Sequence, residues 1–383
     1  MTTDHPTADR PPGPDRPPAP DRPPAPDDRI GVDATGPAAA RSGWERRLGA
    51  HLSLGAGLLR AAARAETLGI RALQLFTDNP TAWRRRTSPP RDLDAFRARI
   101  AGLGIDPVVV HAPYLLNLAS PDEAVWRRSV EGLARELAVA PTFGARFIVL
   151  HLGSHLGSGS AAGIDRIARG VSAALELVGG RGEAAGERSH GAAAGPGSGA
   201  RPDAVRILLE NSAGSGDAVG STVAELADVV RAIEAAGVPA SRIGICLDTA
   251  HAWSAGIAID RAAGVDDLLG EIERRIGLDR LGVVHLNDSR AEFGSRVDRH
   301  EHLGAGRIGT EGLGRILVHP ALAHVAYILE TPGMDDGWDA VNLARALAIA
   351  TGLPLEPLPE AAFTGRGRDS GRSGPPEEAS EVA

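Results

Sequence analysis

The chain contains no lysine, and all 41 of its Lys and Arg positions are arginine. Without a lysine amine the protein cannot form a Schiff base with a carbonyl substrate. It also cannot hold a nucleotide with the lysine of a P-loop. Both classes of enzyme are therefore excluded.

Cysteine is almost absent as well, and Cys246 stands alone. A single thiol excludes an internal disulfide framework and a cysteine-rich zinc site. No apolar run approaches the ~18 residues of a membrane span, and the N-terminus lacks the apolar segment of a secretory signal. We therefore expect a cytoplasmic protein, a monomer, without a membrane partner.

Apolar residues are also scarce at both ends. Residues 1–42 are rich in Pro and Asp and contain PDRPPA twice in succession, and residues 361–383 have a similar polar character. Such segments cannot bury enough apolar surface to fold, so both are predicted to be disordered tails. The Gly/Ala/Ser-rich tract at about 179–203 is predicted to be a flexible insertion. Residues 43–360 then form one domain, of a size that suits a closed barrel.

Eight short apolar runs within that domain are predicted to be strands. They are nearly continuous in apolar character, as expected of parallel strands buried on both faces. The runs are Leu48–His51, Ala72–Phe76, Val108–Ala112, Phe147–His151, Val205–Glu210, Ile243–Asp248, Gly282–Asn287 and Val325–Glu330.

Helical periodicity lies between most of these runs. Apolar residues step by three or four before Gly104 and again before Gly237, where a Thr222-x-x-Glu225 capping box opens the pattern. The region 264–277 is left open as a possible loop. Strand and helix alternating eight times predict an α/β fold, the (β/α)₈ TIM barrel, whose active site lies at the carboxyl ends of the strands.

Candidate metal ligands occupy those strand ends. Six predicted strands end at or beside such a residue, and three more follow nearby, one of them a helical turn past Asp248. The nine residues are His111, His151, Glu210, Asp248, His251, His285, Asp298, His300 and Glu330.

Each of these residues alone could be an ordinary rim histidine or half of an ion pair. Together they would gather four carboxylates at one mouth, which is prohibitively unfavourable without cations to pair them. We therefore predict a multinuclear metal site. Although the net charge is −8, three divalent ions would outweigh four carboxylates, so the site could attract phosphate.

Mixed imidazole and carboxylate ligands suit zinc or a similar divalent ion. Metals held close together favour in-line displacement at phosphorus, where one pair activates water and another ion stabilises the departing oxygen. The main alternative is a metal-dependent sugar isomerase or epimerase on the same barrel, with one or two Mn²⁺ or Mg²⁺. It would need fewer ligands and usually a lysine or histidine beside the sugar. A third interpretation is a metal-loaded DNA-binding protein without cleavage.

The strings around the nine residues resemble the endonuclease IV family, from about Gly49 to Gly333. They are GAHLSLGAGL (49–58), LFTDNPTAW (75–83), HAPYLLNLASP (111–121), LHLGSH (150–155), LLENSAGSG (208–216), CLDTAHAWSAG (246–256), HLNDSRAEFGSRVDRHEHLGAGRIG (285–309) and ILETPG (328–333).

The resemblance implies three zinc ions per chain on a TIM barrel. By matching positions, the first is held by His111, His151 and Glu210, and the second by Glu210, Asp248, His285 and Glu330. The third is held by His251, Asp298 and His300. Glu210 bridges the first two ions and is implied to be catalytic, as the group that takes the proton of the attacking hydroxide.

The implied reaction belongs to DNA base excision repair. It hydrolyses the phosphodiester 5′ to an abasic site in double-stranded DNA, leaving a 3′-hydroxyl and a 5′-deoxyribose phosphate. The same site would trim blocked 3′ ends. Hydrolysis fits a chain without lysine, because a β-elimination lyase normally needs an amine.

Tyr114 and Leu115 match the family's pair that fills the gap in bent DNA, although they could simply pack their loop. Two positions depart from the family. Thr81 stands where an arginine usually enters the DNA, with Arg84, Arg85 and Arg86 as possible substitutes, and Ser215 replaces a glutamine. These departures bear on DNA binding, whereas the nine metal positions match.

Overall fold

The computed structural model describes residues 46–84, 86, 88–186, 205–333 and 336–363. The N-terminal tail lies wholly outside this range, as does all but the start of the C-terminal tail, so both stay predictions. The tract at 179–203 is described only at its beginning, where the preceding helix continues to Gly186. Within the described residues, no helix is long and apolar enough to cross a membrane.

Eight parallel strands close into a barrel, which confirms the predicted fold. A two-stranded antiparallel hairpin, β8 and β9, lies outside it. The strands are β1 (Arg47–His51), β2 (Ala72–Leu75), β3 (Val108–His111), β4 (Ala145–His151), β5 (Arg206–Glu210), β6 (Ile243–Asp248), β7 (Leu281–His285), β8 (Asp288–Ser289), β9 (His300–Glu301) and β10 (Ala326–Leu329). Around the barrel the order is β1-β10-β7-β6-β5-β4-β3-β2.

Helices connect the barrel strands. They are α1 (Leu58–Leu68), α2 (Leu93–Gly102), α3 (Glu123–Val139), α4 (Ser160–Gly186), α5 (Val223–Ala235), α6 (Thr249–Ser254), α7 (Ala262–Arg275), α8 (Gly309–Val318) and α9 (Trp338–Thr351). The region 264–277, left open as a loop, is therefore mostly helix α7. Its buried residues Val265, Leu268, Leu269 and Ile272 form one face at helical spacing.

The N-terminus of α5 shows the predicted capping residue with a different partner for its glutamate. Thr222 Oγ1 accepts a hydrogen bond from the Glu225 N–H at 3.1 Å. The Glu225 carboxylate accepts instead from the backbone N–H groups of Gly220 and Ser221, at 2.8 and 3.1 Å. The glutamate thus ties the loop after β5 to the helix that follows.

Two apolar layers hold the barrel together. The larger one lies between the strands and the surrounding helices. The smaller one is formed by alternate strand residues, including Val109, Val149, Leu208 and Val283. Because side chains two apart on a strand point to the same face, the residues two positions further along these strands point the same way. The inner face of these strands therefore continues from the smaller apolar layer to polar residues at one end of the barrel.

Strand β1 approaches β2 too closely for a side chain at Gly49. A Cβ atom built there would lie 1.9 Å from the carbonyl oxygen of Ala72. The residue two positions later on β1 is His51, which points to the barrel's polar end. Glycine at this position therefore sets how near His51 comes to β2.

We predict that Gly49→Ala lowers the free energy of unfolding by at least about 1–3 kcal/mol, because the added methyl overlaps backbone. Gly102→Ala is the matched control, since a Cβ there meets no atom within 4 Å. It should be neutral or slightly stabilising. Urea denaturation followed by circular dichroism measures both, and equal stability of the two variants would contradict the prediction.

Candidate metal centre

Every barrel strand contributes one polar side chain to the same end of the barrel. Each of these residues ends its strand or lies one position from that end, with its side chain on the inner face. They are His51, Gln74, His111, His151, Glu210, Asp248, His285 and Glu330. The strand register keeps neighbours adjacent, since His151 pairs with Glu210 and Asp248 pairs with His285.

The first group of candidate ligands is His111, His151 and Glu210, whose ligand atoms lie within 4.8 Å of one another. Both imidazole Nε2 atoms face Glu210 Oε2, at 3.4 Å from His111 and 2.8 Å from His151. His111 and Glu210 are buried, whereas His151 is partly open. The group matches the set expected for the first ion.

The second group is Glu210, Asp248, His285 and Glu330, again with ligand atoms within 4.8 Å. His285 Nδ1 is the common neighbour. It lies 2.9 Å from Glu210 Oε1, 3.3 Å from Glu330 Oε2 and 3.8 Å from Asp248 Oδ2. Glu210 belongs to both groups, as a bridging carboxylate would.

The third group differs slightly from the expected set. Ligand atoms of Asp248, His251 and His300 lie within 4.8 Å. Asp298 flanks them, with its oxygens 3.2 Å from His251 Nε2 and 3.2 Å from His300 Nε2. All three expected residues are thus together, and Asp248 reaches this group as well as the second.

Local structure explains how two of these ligands are placed. Asp248 caps helix α6, and its Oδ1 accepts a hydrogen bond from the His251 N–H at 2.8 Å. His300 opens β9, and the loop after it folds around the buried Asp288. That carboxylate accepts from the N–H groups of Gly304, Gly306 and Ile308 at 2.9–3.0 Å.

Three imidazoles are oriented by backbone carbonyls. His111 Nδ1 lies 2.7 Å from Ala112 O, His251 Nδ1 lies 2.9 Å from Asn211 O, and His300 Nδ1 lies 2.8 Å from Glu330 O. A carbonyl only accepts, so in each case Nδ1 donates, and Nε2 is the atom that faces the carboxylates and offers a lone pair once the ring is neutral. This pattern is typical of metal-binding histidines.

Several atoms at the centre are buried without a hydrogen bond. They are Glu210 Oε2, Asp298 Oδ1 and His300 Nε2. Buried polar atoms are normally satisfied, and an unpaired buried charge is strongly unfavourable. Converging carboxylate oxygens and imidazole nitrogens of this kind fit divalent cations, which would replace the imidazole protons, so the donor set passes this test of fit.

The charges of the metal-free centre depend strongly on one another. Burial opposes ionisation of Glu210, yet His151 and His285 hold its pKa well below the usual value. Burial likewise opposes protonation of His300, but Asp298 and Asp248 raise its pKa to about 10. The pKa of His251 is also raised, by Asp248 and Asp298 against the effect of burial. Protons on the imidazoles therefore balance the carboxylates when cations are absent.

Comparison with known proteins identifies the family. A family model described as a xylose isomerase-like TIM barrel matches residues 62–351. The probable endonuclease 4 of Methanoculleus marisnigri is 41% identical over 303 residues, which cover 79% of this chain and 98% of that protein. The probable endonuclease 4 of Halothermothrix orenii is 36% identical over 302 residues, covering 78% and 99%. The chain belongs to the endonuclease IV family.

Solved structures agree with this membership. The endonuclease IV of Thermus thermophilus superimposes with a TM-score of 0.63 at 35% identity, covering 79% of this chain and 98% of that one. A D-tagatose 3-epimerase-like protein gives a TM-score of 0.53 at 20% identity, covering 80% and 98%. The second likeness shows the barrel fold alone. Membership of the endonuclease IV family places the chain among the nucleases.

The strand-end pattern missed two residues of this endonuclease IV family member. His51 and Gln74 are buried on the inner face of the barrel, beside Glu330. The period of two would have found them, because Gln74 is two residues after Ala72 and His51 two after Gly49. Cys246 was also passed over as a neighbour of the site. Its thiol lies with Glu210 and His285, although burial raises its pKa to about 12.

The expected DNA-contacting residues follow β3, the strand of the candidate ligand His111, in this endonuclease IV barrel. Tyr114 is 37% exposed, and its ring centroid lies 5.5 Å from that of His111 and 5.1 Å from that of Phe76. Leu115 is half-buried. Tyr114 borders the candidate ligands, an arrangement consistent with contact to DNA and also with packing of its loop.

The two departures from the family have their own contacts. Thr81 is exposed, and its N–H and hydroxyl both bond to Asn79 Oδ1, at 3.0 and 2.9 Å. Ser215 Oγ donates to the carbonyl of Arg296 at 2.5 Å, which ties the loop after β5 to the loop carrying Asp298. Arg84 and Arg86 are exposed, whereas Arg85 lies outside the described residues.

An open cleft of about 1060 Å³ runs over the centre. Its floor includes His111, His151 and Glu330, and its walls include Tyr114 and Arg86. The cleft brings solvent, and any bound substrate, to the ligand rim.

We predict that cation binding to the metal-free enzyme releases protons. The pKa values of His251, His285 and His300 are raised above 6.5, so these imidazoles are protonated at pH 7 and must deprotonate to become ligands. Metal affinity should therefore rise with pH between 6 and 9. Titration calorimetry in two buffers of different ionisation enthalpy counts the protons, and identical heats in both would show the prediction wrong.

Proposed function

We propose that this protein is a zinc-dependent apurinic/apyrimidinic endonuclease of base excision repair. It hydrolyses the phosphodiester 5′ to an abasic site, giving a 3′-hydroxyl and a 5′-deoxyribose phosphate, and it also trims blocked 3′ ends. One observation carries the proposal: all nine expected ligands converge in three adjoining groups at one end of the barrel. Membership of the endonuclease IV family supports it.

Three zinc ions per chain fit the donor set. His111, His151 and Glu210 would hold the first, and Glu210, Asp248, His285 and Glu330 the second. His251, Asp298 and His300 would hold the third. When bound, zinc supplies Lewis-acid chemistry, lowering the pKa of water and neutralising negative charge on the phosphate and on the departing oxygen.

Glu210 is proposed as the catalytic carboxylate. It is 1% exposed, and it touches His111, His151 and His285. Its lowered pKa keeps it ionised at neutral pH, so it can accept the proton of the attacking water. Its membership of the first two groups supports this role, because a water activated between those two ions would lie beside this carboxylate.

Tyr114 and Leu115 are proposed to fill the gap that bending opens in the base stack. The exposed ring of Tyr114 stands directly beside the ligand His111, so a wedge there would hold the damaged sugar over the centre. Abasic sites favour this arrangement because no base occupies the gap. The substrate is therefore double-stranded DNA with abasic sites or blocked 3′ ends.

A sugar isomerase on this barrel would leave much of the centre unused. Isomerisation needs one or two ions, whereas the nine ligands form three groups. The likeness to epimerase structures at 19–20% identity concerns the fold. Nuclease chemistry accounts for the complete ligand set.

The decisive experiment uses a duplex with one tetrahydrofuran abasic analogue, which resists β-elimination. Zinc-loaded enzyme should nick it 5′ to the lesion and leave a 3′-hydroxyl that a polymerase can extend. Glu210→Gln should lower the rate at least about 100-fold, because general-base catalysis contributes about 10²–10⁴-fold. Denaturing gels of end-labelled strands measure the nick.

Metal analysis accompanies that assay. About three zinc per chain supports the nuclease, while one or two manganese would support the isomerase. An intact duplex after incubation with fully loaded enzyme would refute the proposed function. Wild-type nicking by Glu210→Gln would refute only the role of Glu210.

A second prediction concerns Tyr114. Tyr114→Ala should weaken binding to the abasic duplex by about 10–100-fold, since stacking on an aromatic ring is worth ~1–3 kcal/mol per base. Tyr114→Phe is the matched control, because it keeps the ring and loses only the hydroxyl. Fluorescence anisotropy with labelled duplex measures the affinity at fixed salt. If both variants bind like wild type, the tyrosine merely packs its loop.

A further inference from the structure

We propose that Gln74 is a positioning residue for the second metal group. It acts on two ligands at once, His285 and Glu330, and so sets the affinity of that group for its cation. The inference rests on the proposed function insofar as the group binds zinc. The sequence motifs did not single out Gln74, because its strand, β2, contains no candidate metal ligand.

The Gln74 amide is fully buried and makes contacts at both ends. Its Nε2 lies 2.6 Å from Glu330 Oε1 and 3.0 Å from His51 Nδ1. Its Oε1 lies 2.9 Å from His285 Nε2. One side chain therefore spans the barrel end between strands β1, β7 and β10.

Chemistry fixes which way this amide faces. An ionised carboxylate can only accept hydrogen bonds. At 2.6 Å from Glu330 Oε1, the amide must therefore present its NH₂ group. The carbonyl oxygen is then the atom that faces His285, and it too can only accept.

The orientation of the amide determines the tautomer of His285. Because Oε1 accepts, His285 Nε2 must carry the proton. Nδ1 is then a lone pair, and it faces Glu210 Oε1 at 2.9 Å and Glu330 Oε2 at 3.3 Å. Nδ1 is thus the ligand atom, already free of its proton in the neutral ring.

His285 differs in this from three other histidines of the centre. His111, His251 and His300 are oriented by backbone carbonyls, which no substitution removes. The Nε2 atom of His285 is held by the side chain of Gln74 instead. Partners of this kind typically contribute about 10–100-fold in metal affinity, so position 74 can tune the second group separately from the others.

Gln74→Met tests the inference, because methionine has a similar length and neither donates nor accepts strongly. Asn342→Leu is the matched control. Asn342 is also a buried amide bonded to a histidine, but that histidine, His302, is outside the ligand set. Zinc alone is the probe, titrated against a chromophoric chelator.

Gln74→Met should weaken one of three zinc sites by about 10–100-fold and leave the others unchanged. Asn342→Leu should retain wild-type affinities. In metal-free protein above the pKa of His285, where the ring is neutral, ¹⁵N-edited NMR of the imidazoles should show His285 protonated at Nε2 in wild type and a mixture of tautomers in Gln74→Met. Wild-type affinities together with an unchanged tautomer would overturn the inference.

Gln74→Glu covers the case in which methionine prevents folding. A carboxyl group here still accepts from His285 and can keep a proton to donate to Glu330, because two buried carboxylates this close cannot both ionise, so the Nε2–H tautomer should persist. Its loss would count against the inference. Neither readout involves DNA, so an enzyme that failed to nick a lesion would refute the proposed function and leave this result standing.

Discussion

The structure depends on concentrating negative charge at one end of a closed barrel. Eight strands each turn a polar side chain inward there, and the segments between the strands add Asp298, His251 and His300. Such a collection of buried carboxylates is unfavourable unless positive charge accompanies it. Protons on the imidazoles supply that charge in the metal-free chain, as the raised pKa values of His251 and His300 indicate. Divalent cations can supply the same positive charge with fewer particles. The buried carboxylates that the fold gathers therefore favour metal binding.

Much of the fold and of the candidate site could be predicted from the sequence, because the pattern that marks the strands also marks where the site lies. Parallel strands buried on both faces leave short apolar runs, and such runs end where the barrel becomes polar. Strand ends therefore located His111, Glu210 and His285 without any knowledge of packing. The family resemblance, confirmed by relatives at 41% and 36% identity, then grouped these ligands. The region 264–277 could have been a loop from its sequence, whereas most of it is helix α7.

What the sequence could not supply was contact between side chains distant along the chain. Gln74 sits next to Glu330 and His285 only because β2, β7 and β10 surround the same lumen. Its amide looks like an ordinary polar residue of a strand. The sharing of Asp248 between two groups is a similar case, since it arises from the loop that brings His300 close. Both depend on ring closure, which no local pattern encodes.

Ring closure has a consequence for how the enzyme matures. The barrel is sealed where β10 joins β1 and β7, and β10 delivers Glu330. A nascent chain that has emerged only through β7 still lacks Glu330, a carboxylate of the second group. The second ligand group can therefore be completed only late in biosynthesis.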